Sequence, residues 1–119
     1  LNKTIPLSRQ YEAHGTAFNA IELRLPKHRE HFAIGDPVEV QPSGADGGSI
    51  VVEYLDRIEA YRDRLLVKPS LAEIFDLDLV DSMTLKETII GFFTEARRLR
   101  RARTNSSGAA DEGSTKSET

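Results

Sequence analysis

His28 and His31 sit three residues apart, with Glu30 between them and Asp36 close behind. On a helix such a pair shares a face and can bind a metal, but a competent site needs three or four ligands with outer-shell support. This segment is short and flanked by Pro26 and Gly35, so its residues read as solvated polar groups. Ser8, Ser43, Ser70 and Ser82 offer hydroxyls and His14 a base, yet none lies in a nucleophile-elbow or triad-like context. Gly44, Gly47 and Gly48 are followed by no Gly-Lys-Ser/Thr, so they form no phosphate loop. Asp76, Asp78 and Asp81 alternate with Leu77, Leu79 and Val80 without the spacing or glycine of a calcium loop. They read as a polar connector with buried leucines, Asp81 helping to cap the helix that follows. Zero cysteine removes disulfides, thiolate zinc sites and thiol nucleophiles. No catalytic set, cofactor site or metal site emerges.

The strongest charge feature is Arg97, Arg98, Arg100, Arg101 and Arg103. Cations at a helix C-terminus complement the macrodipole. The same arginines could instead meet the acidic 73–81 stretch of another subunit, or nucleic-acid phosphates. The last reading is disfavoured by the absence of interleaved aromatics and of a recognisable binding motif. A net charge of −3 provides no bulk attraction to nucleic acid or to an anionic membrane. No apolar run approaches the ~20 residues of a membrane span, and Leu1 to Pro6 lacks the apolar run of a signal peptide.

The elements that carry these residues follow from periodicity. Ile5, Leu7, Tyr11 and Ala13, then Ile21, Leu23 and Leu25, alternate with polar neighbours, as half-buried strands do. His14-Gly15 supplies the turn, so an antiparallel hairpin runs over about 4–25, strands 4–13 and 16–25. Phe18 is out of phase with Ile21, which predicts the opposite face or a bulge near Asn19-Ala20. Pro6 requires an edge or non-bonded ladder position and Pro26 ends the second strand. Lys27 to Ala33 suits one helical turn. Residues 35–48, rich in Gly and Pro, form a flexible surface loop in which Val38 and Val40 make a brief extended pair.

Ser49 is the expected N-cap of an amphipathic helix carrying Val51, Tyr54, Leu55, Ile58, Tyr61 and Leu65, with a Glu53–Arg57 pair on its wet side and Pro69 as its stop. Ser70 to Glu73 is a capping box opening a short helix, and Thr84 to Glu87 a second one opening the last helix. There Leu85, Ile89, Phe92, Ala96 and Leu99 keep a four-three spacing, widened by Ile90 and Phe93. Gly91 within that helix reads either as close approach of another backbone or as a tolerated defect. Beyond Arg103 no aliphatic residue exceeds alanine, which predicts a disordered tail over 104–119. The fold class is therefore α+β, one domain over 1–103: an N-terminal antiparallel hairpin, a C-terminal cluster of about three helices, then the tail.

The order of these signals resembles the phage tail assembly chaperone family, small proteins of long-tailed bacteriophages and prophages. Thr4-Ile5-Pro6-Leu7-Ser8, the Tyr11–Gly15 stretch, and Ile21 to Pro26 with its Leu23-Arg24-Leu25-Pro26 carry the N-terminal likeness. Leu65 to Pro69, Leu77 to Asp81 and Ile90-Gly91-Phe92-Phe93 carry the C-terminal one, over residues 4–96 in all. Glu30, where relatives often show aspartate, and the arginine-rich end depart from the pattern. The resemblance implies a non-enzymatic assembly factor without cofactors. Such a factor works in the cytoplasm of the bacterial host and is absent from the mature virion. Its partners are the tail tape-measure protein, which it keeps soluble, the tail-tube protein and further copies of itself. Many members also occur in a longer frameshifted form. The candidate contact surface is the final helix: Ile89, Ile90, Gly91, Phe92, Phe93, Arg97, Arg98, Arg100 and Arg101. The competing readings are a small nucleic-acid-binding regulator and a minor structural tail protein.

Overall fold

A computed structural model describes residues 1–44 and 46–110. The hairpin is β1 (Asn2–Ala13) against β2 (Thr16–Arg24), turned at His14 and Gly15, both with positive φ. A third strand, β5 (Leu66–Lys68), pairs with β2, giving an antiparallel sheet of order β1-β2-β5. β1 is thus an edge, the position that tolerates Pro6. The register reset expected near Asn19-Ala20 lies on the other strand. Between the pairs Pro6↔Ala20 and Tyr11↔Phe18, β1 advances five residues and β2 two. The slack bulges out Leu7 to Gln10 and brings Tyr11 and Phe18 into a stack at 5.5 Å.

α1 (His28–Ile34) is the helical turn expected after Pro26. The 35–48 segment is more ordered than a loop: Val38 and Val40 belong to β3 (Val38–Pro42), which pairs with β4 (Ser49–Glu53) as a separate hairpin. Ser49 therefore starts a strand and caps no helix. Ile50, Val51 and Val52 form a run whose β-branched side chains suit the ladder, and that local preference overrides the helical spacing. α2 (Leu55–Leu65) begins after Tyr54, and Glu53 pairs with Lys86 at 2.9 Å rather than with Arg57. It ends before Pro69, because Leu66 turns extended to add β5 to the sheet.

The first capping box forms as expected: Glu73 accepts the Ser70 N–H at 2.9 Å at the start of a 3-10 helix, Leu71–Ile74. The second does not. α3 (Leu79–Ala110) starts ahead of Thr84, whose hydroxyl donates to the Val80 carbonyl inside the helix. Leu79 and Val80 are exposed rather than buried in a connector. The helix also runs past Arg103 to Ala110, so it takes in the first part of the expected tail; residues 111–119 lie outside the described residues.

The core joins one face of the sheet (Ile5, Ile21, Leu23) to α2 (Ile58, Tyr61, Leu65), Ile74 and α3 (Leu85, Ile89, Phe93). Each such side chain contributes about 1.5–3 kcal/mol by leaving water. On α3 the buried stripe steps by four throughout, from Asp81 through Leu85 and Ile89 to Phe93. Ala96 and Leu99, expected on that stripe, are exposed, and Phe92 is half-buried. Steps of four advance the stripe by about 40° each, so it slants away from the 92/96/99 line.

Gly91 is approached by no backbone: a Cβ built there meets nothing within 4 Å. Gly91→Ala should accordingly raise stability by up to about 1 kcal/mol, the helix-propensity gain. Thermal unfolding checks it, and a lowered midpoint would restore the close-approach reading.

Candidate functional site

The 92/96/99 line of α3 faces the end of β2 and the start of α1 across a groove of about 1040 Å³. Leu25 and Pro26 form one wall, and Gly91, Phe92, Ala96 and Leu99 the other. Lys3, Lys27 and Arg100 stand on its rim.

The α1 wall is held by a buried carboxylate. Glu30 is 1% exposed and accepts from Arg24 at 2.7 and 3.3 Å and from the Lys27 N–H at 2.9 Å. The Arg24 guanidinium, with the Lys27 N–H, holds its carboxyl at about 2. Two residues of the Leu23-Arg24-Leu25-Pro26 motif thus have separable jobs: Arg24 anchors α1, and Leu25 faces the groove.

Past α1 the chain turns at Gly35, whose φ of 94° favours glycine. Its carbonyl accepts the Tyr61 hydroxyl at 2.8 Å, and burial pushes that phenol up to about 12. Asp36 receives His31 Nε2 at 2.7 Å and Arg97 at 3.1 Å, and Arg57 donates to its carbonyl at 2.8 Å. The His31 contact is the main cause that lowers the Asp36 carboxyl, and Arg97 adds to it. α1, α2 and α3 are therefore tied at one corner, and His31 is engaged with a carboxylate instead of standing as a free ligand. His28 packs on the 78% exposed Phe32 at 4.4 Å. Among the described residues no cluster of three or more His, Asp or Glu could hold a metal ion, and no helix is long and apolar enough to cross a membrane.

The expected contact residues divide. Ile89 is 0% exposed, and Phe93 packs edge-on against Tyr61 at 4.9 Å, so both serve the core. Ile90 is half-buried against the same core. Gly91 and Phe92 open onto the groove. Arg97 is tied to Asp36 and Arg98 to Glu95, while Arg100 and Arg101 are exposed with no ion pair among the described residues. Leu25, Pro26, Lys27 and Leu99 join the site only in three dimensions. The available signal was the proline that ends β2, since it leaves Leu25 without a strand partner to cover it.

A second polar cluster pins the start of α3 to the β1 bulge. Asp81, 3% exposed, accepts from the Ser8 N–H at 2.9 Å, the Ser8 hydroxyl at 2.8 Å and the Tyr11 hydroxyl. Burial pushes its carboxyl up, but these three donors outweigh that and hold it below the usual value. Arg9 meets Asp78 at 2.9 Å while lying over the Tyr11 ring. Asp78 and Asp81 are therefore engaged within the chain; Asp81 ties two elements together rather than acting as a simple cap.

Set against protein-family models, curated proteins and solved structures, the chain matches none of them.

Proposed function

We propose that this chain is a tail assembly chaperone of the long-tailed phage type: a non-enzymatic protein that holds the tape-measure protein soluble while tail-tube subunits assemble around it. It acts in the cytoplasm of the bacterial host and is left out of the finished particle. The ordered motifs over residues 4–96 suggest the reading, and the observation that carries it is the open apolar groove along the 92/96/99 line of α3. A long client helix deprived of its final partner needs an interim apolar surface with a charged rim, and a groove of this kind offers one reversibly.

Co-expression with the tape-measure protein of the same genome should raise the soluble fraction of that client and co-purify the two. No gain in solubility together with no co-purification would sink the proposal, and recovery of the chain from purified mature particles would favour a structural tail protein. The exposed Arg100, Arg101 and Arg103 support a second reading, a nucleic-acid-binding regulator. That reading requires binding to duplex DNA or RNA that weakens steeply with salt.

A further inference from the structure

We infer that the groove between α3, Leu25 and α1 takes an amphipathic helix whose flanks carry carboxylates. The inference rests on the reading of this chain as a holder of a client protein, and it specifies the client's chemistry.

The groove has room for a helix. A helix about 10 Å across fills roughly 400 Å³ per turn, so about 1040 Å³ seats about two turns. Leu25 is 43% and Leu99 49% exposed on opposite walls, an apolar pair set to receive a ridge of Leu-sized side chains. On the α3 wall Gly91 contributes no side chain and has open space where its Cβ would stand, which widens the groove there. Among the described residues the last core residue of α3 is Phe93 and its last ion pair to another part of the chain is Arg97, and Arg98 to Thr104 beyond it are exposed. An exposed helical stretch gains stability from a packing partner, so a partner along Arg98 to Thr104 would stabilise it as well.

Charge selects the partner. Asp36 is engaged by His31 and Arg97, and Glu95 by Arg98. Lys3, Lys27 and Arg100 have no ion pair among the described residues. The unneutralised charge around the groove is thus positive on a chain whose net charge is −3, and like charges across an interface suppress wrong partners. A second copy docked through the same surface would bring two rims of the same sign, each with Lys3, Lys27 and Arg100, into one interface. Nucleic acid would satisfy the cations but would leave Leu25 and Leu99 facing a phosphate backbone. An acidic amphipathic helix satisfies the walls and the rim together.

The test uses the full chain and three labelled synthetic peptides of about 18 residues: one with a leucine stripe flanked by Glu, one with Lys in place of Glu, and a scrambled acidic sequence. Fluorescence anisotropy should show the acidic stripe peptide binding at least about tenfold more tightly than either control. Arg100→Glu and Leu99→Asp should each weaken it about tenfold or more without moving the thermal midpoint, since both side chains are exposed; Arg100→Lys should retain binding. Equal binding of acidic and basic peptides, or unchanged binding in both variants, overturns the inference. So does a groove that takes a duplex oligonucleotide in place of the peptide, or one whose variants shift only the sedimentation of the chain itself. If the client is held soluble and the two variants alter nothing, the groove is wrong and the chaperone reading stands. If the peptide preference appears while the client gains no solubility, the chaperone reading fails and the groove stands.

Discussion

Ile89→Ala should lower the free energy of unfolding by about 3 kcal/mol and the melting temperature by more than about 10 °C. Ile89 is fully enclosed where α3 meets the sheet and α2, so alanine removes three carbons and leaves a cavity that the surrounding core fills only in part. The same truncation at Leu99, half exposed on the groove wall, should stay within about 0.5 kcal/mol. Urea and thermal unfolding of the two variants separate a core position from a contact position on one helix. An Ile89→Ala protein as stable as the parent would mean that the α3 stripe has been assigned to the wrong face. Reduced client binding by this variant would consequently report lost fold, not a lost contact.

Asp81→Asn is the second large effect, about 2–3 kcal/mol of destabilisation at neutral pH. The carboxylate accepts three donors from β1, whereas an amide offers one oxygen and turns an N–H₂ toward groups that are themselves donors. The pH dependence follows from the depressed pKa of the Asp81 carboxyl. A group of this kind contributes stability that is present above its unfolded value of about 3.9 and lost as pH falls through its folded value. The gap between parent and variant should therefore be full at pH 7 and shrink below about pH 4. Glu30, held at about 2, follows the same sign, so the parent's own acid unfolding should extend down toward that value. Urea midpoints across this range decide the matter. Equal midpoints at pH 7, or a gap that persists undiminished in acid, would show that Asp81 does not pin α3 to the bulge.

What was legible in the sequence was local. The hairpin, its His14-Gly15 turn, the edge position of Pro6, α1 and the Ser70–Glu73 box each depend on neighbours within a few residues. The misses have a common physical origin. Val51 fits both a helical stripe and a strand, and its partner across the ladder, Val40, decides the matter. Thr84 to Glu87 has the composition of a capping box, but the helix can start earlier because Ser8, Arg9 and Tyr11 hold Asp78 and Asp81. Leu66 could have extended α2, yet β2 lacked a second neighbour and took Leu66 to Lys68 as a strand.

The candidate site shows the same division. Residue types alone determined that this is an α+β chain with an amphipathic final helix and a strongly basic run beyond Phe93. They could not say which side of that helix would be free, because Phe92 and Phe93 are equally apolar and differ only by about 100° around the axis. The packing of α3 on Tyr61 and the sheet decided it. That contact claimed Ile89 and Phe93 for the core and left Gly91, Phe92 and Leu99 facing Leu25 across a groove that exists only once both walls are in place.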